Sequence, residues 1–207
     1  MADAPAFPPG FFDRLDETPD PLFYALPRFV QHIDDATIAA LTAYYGELLR
    51  PGAAVLDLMS SWVSHLPEAL SLGRVAGIGM NADELAKNPR LTEHHVCDLN
   101  DDPRLPLADA SFDLALCAVS IQYLTRPLEV FAELARVLRP GGRAVIATSH
   151  RCFPTKAIRA WHVLAPAERL RTIAAYFALA GGFAPAETLD RSPPGADPLW
   201  IVTALRT

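Results

Sequence analysis

Asp57 and the two serines that follow it place acidic and hydroxyl groups at the end of a short apolar run. The run is AAVLDL (residues 53–58), and the chain continues as MSSWVSH (residues 59–65). A strand of this kind often leads into a turn that binds a ligand and begins a helix. There, the hydroxyls of Ser60 and Ser61 and free backbone N–H groups could bind a carboxylate, or the serines could only cap the helix.

Two further segments, YALPRFVQHID (residues 24–34) and SHRCFPTKAIRAWH (residues 149–162), mix aromatic residues with histidine and arginine. Cationic groups beside a pocket favour an anionic or carboxylate-bearing substrate, and the alternative is that they form surface ion pairs in this acidic chain. His150 is a candidate general base. The candidate substrate-binding residues are Tyr24, Arg28, His32, Arg151 and Trp161.

The cysteines and histidines give no metal-binding pattern. Cys97, Cys117 and Cys152 are widely spaced and form no CxxC pair, so neither a disulfide framework nor a zinc knuckle is indicated. A metal would need ligands assembled from unpatterned positions such as His94 and His95. Buried thiols and histidines at strand ends are the interpretation we adopt, and no metal is expected.

Composition limits the classes of function. The chain has 207 residues, 51% of them hydrophobic, and a formal net charge of −6. The negative charge argues against a general nucleic-acid binder, which needs a basic face. No apolar run approaches the roughly 18–20 residues that span a bilayer, and the N-terminus lacks the basic region of a secretory signal. We therefore expect a cytoplasmic protein that acts on a small molecule, without nucleic-acid or membrane partners; the sequence does not indicate an oligomeric state.

Apolar strand patterns alternate with helical ones through the middle of the chain. Residues 1–22 are rich in proline and predict an extended arm instead of a packed helix or strand, followed by a helix over residues 36–49. The predicted strands are residues 53–58, 74–79, 94–99, 111–120 and 143–149. The predicted helices between them are residues 68–72, 83–87 and 127–138. Continuous apolar strands alternating with helices indicate a parallel sheet covered on both faces.

The last forty residues have a different order of elements. Residues 166–180 predict a long helix that ends at Gly181, and two strands follow at residues 185–189 and 199–205. The two strands are joined by a loop rich in proline and glycine, without a helix. This order predicts an antiparallel hairpin at one edge of the sheet, within a single domain.

The most specific pattern in the chain covers residues 105–149. It joins an LPLADASFD lead-in to strand four, an aromatic-containing turn, an amphipathic helix and an LRPGG turn into strand five. In this pattern the chain resembles the class I S-adenosylmethionine-dependent methyltransferases of the small-molecule group often called type 11. The resemblance implies a Rossmann-like, doubly wound α/β fold. Its seven-stranded, mainly parallel sheet has the order 3-2-1-4-5-7-6, with strand seven antiparallel.

The resemblance also implies S-adenosylmethionine as cofactor and a division of the chain. Residues 1–50 would form an N-terminal arm and lid helix that pack on a methyltransferase-like core of residues 51–207. In open α/β sheets, ligands bind at the carboxyl ends of the strands where the strand order reverses, which here is beside strand one. By resemblance, Asp98 accepts a hydrogen bond from the adenine amino group and Leu99 offers its backbone N–H to the ring.

The other site residues implied by the resemblance lie along the methionine portion of the cofactor and around the methyl group. Ala118 and Val119 would lie along the methionine portion, while Gln122 and Tyr123 would flank the reacting centre, with Tyr123 as a catalytic candidate. The remaining candidate cofactor-binding residues are Asp57, Met59, Ser60, Ser61, Trp62, Gly79, Met80 and Asn81.

The chain departs from the family pattern VLDLGxGxG in the turn after strand one. Met59, Ser61 and Val63 occupy the glycine positions, where glycine permits positive φ and a close approach of the backbone to the ligand. A β-branched valine adopts positive φ only at a high energetic cost. The loop is therefore predicted to follow a different path.

A second departure lies at the end of strand two, where the family has an acidic residue that accepts both ribose hydroxyls. Gly79 stands in that place. Losing a charge-assisted acceptor costs about 1.5–3 kcal/mol, roughly tenfold to a hundredfold in affinity. Asn81, Asp83 or Glu84 could replace it, or could form only a solvated helix start. Weaker or rearranged cofactor binding is predicted.

Three functions are compatible with these observations. The first is methyl transfer from S-adenosylmethionine to a small molecule with an atypical cofactor loop. The second is a catalytically inactive methyltransferase-like scaffold or regulatory binding protein, which the missing glycines and acidic residue favour. The third is a nicotinamide dehydrogenase, against which the lack of GxGxxG and the terminal hairpin both argue.

Overall fold

The computed structural model describes residues 7–207, and a seven-stranded sheet forms their centre. The strands lie in the order β3-β2-β1-β4-β5-β7-β6. Strands β1 to β5 pair in parallel, and β7 runs antiparallel to β5 and β6, so the predicted fold and strand order are confirmed. The strands are β1 (Val55–Leu58), β2 (Val75–Gly79), β3 (Glu93–Val96), β4 (Phe112–Ala118), β5 (Leu138–Thr148), β6 (Glu187–Asp190) and β7 (Trp200–Leu205).

Successive residues of each central strand belong to different hydrophobic cores. In β1, Leu56 packs in the core on one face of the sheet and Val55 in the core on the other. Ile146 and Val145 divide in the same way in β5. Because both faces are covered, the strands need continuous apolar runs, which is the pattern that the sequence displays.

Helices cover the two faces of the sheet. In one core, Phe131 and Phe177 meet with their ring centroids 4.7 Å apart. In the other, Leu41 and Tyr45 are fully buried, and Asp34 caps their helix by accepting from the backbone N–H of Thr37 at 2.8 Å. The helices are α1 (Asp20–Phe23), α2 (Asp35–Leu48), α3 (Ala82–Lys87), α4 (Pro127–Val137), α5 (Arg159–Val163) and α6 (Pro166–Ala180), with a 3₁₀ turn at Ile121–Tyr123.

The connection between β1 and β2 contains no helix, so the prediction of a helix over residues 68–72 is wrong. Its backbone groups instead bond to the start of β1: Gly52 N–H donates to Ser71 C=O at 2.9 Å, and Gly73 N–H donates to Ala53 C=O at 3.0 Å. A five-residue run is also too short to be helical without tertiary support. The alternative that Ser60 and Ser61 cap a helix is therefore wrong as well.

The predicted extended arm packs on the protein over residues 7–22 and ends in the short helix α1; residues 1–6 lie outside the described part. Phe7 and Phe12 contact Tyr176 of α6, with ring centroids 5.6 and 6.3 Å away. Lys156, which is 1% exposed, contacts Asp20 at 3.1 Å. This ion pair is formed by residues far apart in the chain, so no local sequence pattern predicts it. Within residues 7–207, no helix has the length and apolar character needed to cross a membrane.

Candidate cofactor and substrate site

A cavity lies at the carboxyl ends of β1 to β4, where β1 and β4 are neighbours and the strand order reverses. Its walls come from the loops that follow these four strands, from residues 20–32 of the N-terminal segment, and from Phe153 after β5. The residues described in this protein include no group of three or more histidine, cysteine or acidic side chains that could hold a metal ion.

Most of the candidate cofactor residues line this cavity. Asn81 does not, because its side chain caps α3 by accepting from Asp83 and Glu84 N–H and donates to Tyr24 C=O at 2.9 Å. Gln122 does not either, because it is buried and donates to the backbone C=O of Val119. The candidates that line the cavity are Asp57, Met59, Ser60, Ser61, Trp62, Gly79, Met80, Asp98, Leu99, Ala118 and Val119.

The candidate catalytic and substrate residues divide into two groups. Three do not line the cavity. Arg151 pairs with Asp197 at 2.5 Å, and His150 is half-exposed with Nε2 3.5 Å from the same carboxylate. Trp161 is 3% exposed and belongs to a hydrophobic core. The candidates that line the cavity are Tyr24, Arg28, His32 and Tyr123.

Asp57 is buried at the base of the cavity and holds the loop after β1. Its Oδ2 accepts hydrogen bonds from Ser60 Oγ and Ser64 Oγ, both at 2.6 Å. Burial raises the pKa of Asp57 to about 6, although these two hydrogen bonds act to lower it. Ser64 in turn accepts from Asn88 Nδ2 at 2.8 Å. The serines after β1 therefore organise the loop around a buried acid.

Gly79 lies directly beneath the backbone of Ser60. Ser60 N–H donates to Ile78 C=O at 2.6 Å, which adds a backbone hydrogen bond to β2 beyond the end of β1. A Cβ atom on Gly79 would lie 2.3 Å from the Ser60 carbonyl oxygen, far inside van der Waals contact. The loop path therefore leaves no space for a side chain at position 79.

Two residues without the freedom of glycine adopt positive φ at the ends of strands that border the cavity. They are Met59 after β1, with φ of 56°, and Val119 after β4, with φ of 45°. Such a conformation is strained, particularly for a β-branched residue, and strain of this kind is common at functional sites. Met59 thus keeps the backbone conformation that glycine usually provides, whereas Val63 avoids it.

Glu84 in α3 joins the loop after β1 to the N-terminal segment. Its two carboxylate oxygens accept from Ser61 Oγ at 2.6 Å and from the backbone N–H of Arg28 at 2.7 Å. A second link is made by Trp62 Nε1, which donates to Val30 C=O at 3.0 Å. Since these partners are 23 to 56 residues apart, only the folded structure reveals them.

The N-terminal segment adds aromatic and titratable groups to the cavity. The Arg28 guanidinium lies over the Phe23 ring, 4.5 Å from its centroid, and His32 packs edge-on against Phe153 at 5.3 Å. Burial lowers the pKa of His32 and lowers that of His65 to about 4. Both imidazoles are therefore neutral at pH 7, and either could accept a proton.

The residues after β3 provide the carboxylate of Asp98 to the cavity wall. Asp98 Oδ1 accepts from Asn100 N–H at 3.0 Å in a tight turn, and Asn100 Nδ2 donates to Asp20 Oδ2 at 2.8 Å. Although burial alone would raise the pKa of Asp20, hydrogen bonds from Arg14 and Asn100 lower it overall. Asp20 lines the cavity, although no local sequence motif marks it as a site residue.

Known proteins are similar to this chain in sequence. The family model described as a methyltransferase domain matches residues 60–146. An uncharacterized 37.1 kDa protein in a transposon of Streptomyces fradiae is 36% identical over 135 residues, or 59% of this chain and 39% of that protein. The demethylmenaquinone methyltransferase of Beutenbergia cavernae is 31% identical over 67% of this chain and 56% of its own length. The chain thus spans less than two thirds of each of these relatives.

Solved structures are similar in fold. The geranyl diphosphate C-methyltransferase from Streptomyces coelicolor has a TM-score of 0.60, with 14% identity over 90% of this chain and 97% of that one. A methyltransferase from Mesorhizobium loti has a TM-score of 0.57, with 18% identity over 81% of this chain and 98% of that one. At these identities the similarity supports the fold and nothing finer.

Proposed function

We propose that this chain, whose residues 60–146 match the methyltransferase-domain family model, is a class I S-adenosylmethionine-dependent methyltransferase that binds S-adenosylmethionine in its cavity and methylates a small molecule. The observation that carries the proposal is the convergence of four strand ends on one cavity where the strand order reverses. When bound, the cofactor supplies an electrophilic methyl group on a positively charged sulfur. The protein's own contribution to such a displacement is proximity, alignment and exclusion of water.

The residues at the end of β3 fit the adenine ring. Asp98 Oδ1 is engaged by the Asn100 N–H, and within residues 7–207 its Oδ2 has no hydrogen-bond partner. A carboxylate with a free oxygen in the cavity wall can accept from an exocyclic amino group. Leu99, which follows it and is 4% exposed, would provide an apolar contact and its backbone N–H.

The ribose would be bound in a different way from that of the family pattern. Ser60 covers Gly79, so the ribose hydroxyls would meet the backbone of the loop after β1 instead of a carboxylate. A neutral acceptor makes a weaker hydrogen bond than a charged one. The proposed site therefore binds the cofactor more weakly than a site with an acidic residue at position 79 would.

We propose His32 as the general base for those methyl-accepting substrates that must lose a proton during the transfer. Its ring nitrogens have no hydrogen-bond partner among the described residues, and it lines the cavity. Tyr123 is less suitable, because burial raises its pKa to about 12 and its hydroxyl already accepts from Phe153 N–H at 2.7 Å. His150 is less suitable because it lies outside the cavity.

The acceptor that we propose is small and negatively charged. Similar proteins are named as methyltransferases of demethylmenaquinone and of geranyl diphosphate, and these names support a small-molecule acceptor. The negative charge is supported by Arg28, a cation in the cavity wall that makes no ion pair with an acidic side chain in residues 7–207. The N-terminal segment covers the cavity through Trp62 and Glu84, which keeps water from the reacting groups.

Calorimetric titration with S-adenosylmethionine and S-adenosylhomocysteine tests the cofactor. We expect micromolar binding that Asp98→Ala weakens about tenfold to a hundredfold, because a charge-assisted hydrogen bond is lost. Asp101→Ala is the matched control, since Asp101 is exposed and does not line the cavity. Absence of heat and of thermal stabilisation at millimolar ligand would overturn the proposal and make a non-catalytic binding scaffold the leading function.

A further inference from the structure

We propose that Arg28 binds a carboxylate group of the methyl acceptor, and that this acceptor carries its carboxylate on a planar, unsaturated ring. The inference rests on the proposed function and names the acceptor class for the same cavity.

The Arg28 guanidinium has an unused donor. Nη2 donates to the Phe23 C=O at 2.8 Å, whereas Nη1 is buried and has no hydrogen-bond partner within residues 7–207. A buried cationic donor without an acceptor is costly, and a planar guanidinium is well shaped to bind a carboxylate. A ligand carboxylate in the cavity would satisfy this donor and neutralise its charge.

Glu84 and Asp20 do not serve this purpose, because the oxygens of both carboxylates are already engaged. Both oxygens of Glu84 accept hydrogen bonds, from Ser61 Oγ and from the backbone N–H of Arg28 itself. Both oxygens of Asp20 accept from Arg14, at 2.7 and 2.8 Å. Within residues 7–207 neither carboxylate forms an ion pair with the Arg28 guanidinium, so its buried Nη1 donor stays available to the anionic group of a ligand.

The rings around Arg28 indicate a flat ligand. Besides Phe23, the guanidinium lies 5.5 Å from the centroid of Phe153 and 5.8 Å from that of Tyr24. Phe153 also contacts His32 edge-on and stacks on Tyr123 at 5.8 Å with an angle of 27° between the rings. Aromatic walls favour a planar, unsaturated partner through offset stacking and edge contacts.

The same rings connect Arg28 to the acceptor side of the cavity. Phe153 follows β5 and Tyr123 follows β4, and the Tyr123 hydroxyl accepts from Phe153 N–H. The proposed adenine contacts, Asp98 and Leu99, follow β3 at the far edge of the site. We therefore assign the Arg28 carboxylate partner to the acceptor and not to the cofactor.

Benzoate and benzamide are the probes for this site, because they share a ring and differ in charge. We expect benzoate to bind the S-adenosylhomocysteine complex at least about tenfold more tightly than benzamide. Arg28→Met should weaken benzoate about tenfold to a hundredfold and leave benzamide within about twofold. Arg28→Lys, which keeps the charge but not the fork, should recover part of the loss. Thermal melting verifies that the variants fold.

The matched control is Arg169→Met. Arg169 also lies over an aromatic ring, 5.4 Å from the Trp161 centroid, but does not line the cavity. The Arg169→Met substitution should leave benzoate binding unchanged. Equal affinity for benzoate and benzamide in the unsubstituted protein would overturn the proposal, and so would equal loss in the Arg169 variant.

A second titration decides between the acceptor and the cofactor as the source of the carboxylate. 5′-Methylthioadenosine lacks the amino-acid portion of S-adenosylhomocysteine. If Arg28→Met abolishes the preference for S-adenosylhomocysteine over this compound, Arg28 binds the cofactor carboxylate and the proposal fails. Benzoate titrations without S-adenosylhomocysteine separate the two proposals. Arg28-dependent benzoate binding in a protein that does not bind S-adenosylhomocysteine would support the anion site and contradict the proposed function.

Discussion

Two crossover connections flank the middle of the sheet, one from β1 to β2 and one from β4 to β5, and they fold differently. Between β4 and β5 the chain forms α4, whose Phe131 and Leu134 are buried in a core. Between β1 and β2 it forms a loop without a helix. Both connections join parallel neighbours of the same sheet, so the sheet alone does not determine which form the connection takes.

The difference lies in where the backbone and polar groups find partners. The α4 sequence repeats apolar residues at helical spacing, so a helix buries one face and satisfies its own backbone. The loop after β1 instead bonds Ser60 and Ser64 to Asp57, Ser61 to Glu84, and its backbone to β1 and β2. The regular connection supports the sheet, and the irregular one builds the cavity.

The largest expected effect comes from adding a side chain beneath the irregular loop. Gly79→Asp restores the acidic residue of the family pattern, yet its Cβ would lie 2.3 Å from Ser60 O. We expect destabilisation of about 4 kcal/mol or more, from overpacking and an unpaired buried charge, and loss of S-adenosylhomocysteine binding. Denaturant unfolding and calorimetry measure the two effects.

The control for this substitution is Gly46→Ala in α2. A Cβ at Gly46 meets only Pro67 Cγ, at an ordinary 3.6 Å. Because alanine is favoured over glycine within helices, this variant should be more stable by about 0.5–1 kcal/mol. A stable Gly79→Asp protein that binds cofactor more tightly would show that the loop moves freely, and the contrast between the two connections would disappear.

Asp57, which holds the loop after β1, should make the stability of the protein depend on pH. Its pKa is raised from 3.8 to about 6, so between these values the folded state holds a proton that the unfolded state has lost. The contribution of Asp57 to stability therefore falls by about 3 kcal/mol as pH rises from below 4 to above 6. Relative to the natural protein, Asp57→Asn should gain stability over this interval, as measured by urea unfolding at several pH values.

Asp113, at the start of β4, is the control, because its effect on stability should change with pH in the opposite direction. Burial alone would raise its pKa, but hydrogen bonds from Ala54 N–H and Arg139 lower it overall. Its contribution is present above the unfolded pKa and is lost as pH falls through the folded value. Asp113→Asn should therefore lose stability relative to the natural protein as pH rises from the lowered folded-state pKa of Asp113 to its unfolded value of 3.8. Parallel pH curves for the Asp57 and Asp113 variants would contradict the assignment.

The smallest expected effect concerns the link between the irregular loop and the N-terminal segment. Trp62→Phe removes the hydrogen bond to Val30 C=O, worth about 1 kcal/mol, or roughly fivefold in an opening equilibrium. Amide hydrogen exchange of residues 25–32 should quicken accordingly. Trp161→Phe is the matched control, because the Trp161 Nε1 has no partner among the described residues. Equal exchange in both variants would show that Trp62 does not hold the segment closed.

Secondary structure could be predicted from the sequence where it depends on patterns of residues that are close together in the chain. The strand order and α4 were predicted correctly, because continuous apolar runs and helical spacing reflect burial of the same residues. The start of β5 was predicted wrongly, since the strand begins at Leu138 and includes the residues predicted as an LRPGG turn. The helix at residues 68–72 was predicted wrongly, because the backbone there bonds to residues 52 and 53, just before β1, and no residue of that run indicates this. The contact partners of residues 7–22 were not predicted, because Tyr176 and Lys156 lie far along the chain.

The candidate site was predictable to a similar degree. The resemblance suggested residues at the strand ends, and most of them line the cavity. It could not indicate that Arg28 lacks an acidic partner, that Glu84 is occupied, or that His150 faces Asp197 outside the cavity. These properties depend on how separate segments meet, and their roles in catalysis stay predictions.

The contact between Ser60 and Gly79 also restricts the order in which this protein could change. A mutation that brings an acidic residue to position 79 is blocked while the Ser60 carbonyl lies above it. A return of glycines to the loop after β1 would have to come first, without the benefit of the acid. The two positions are thus bound by epistasis, and a protein engineer seeking tighter cofactor binding must rebuild the loop before altering the strand.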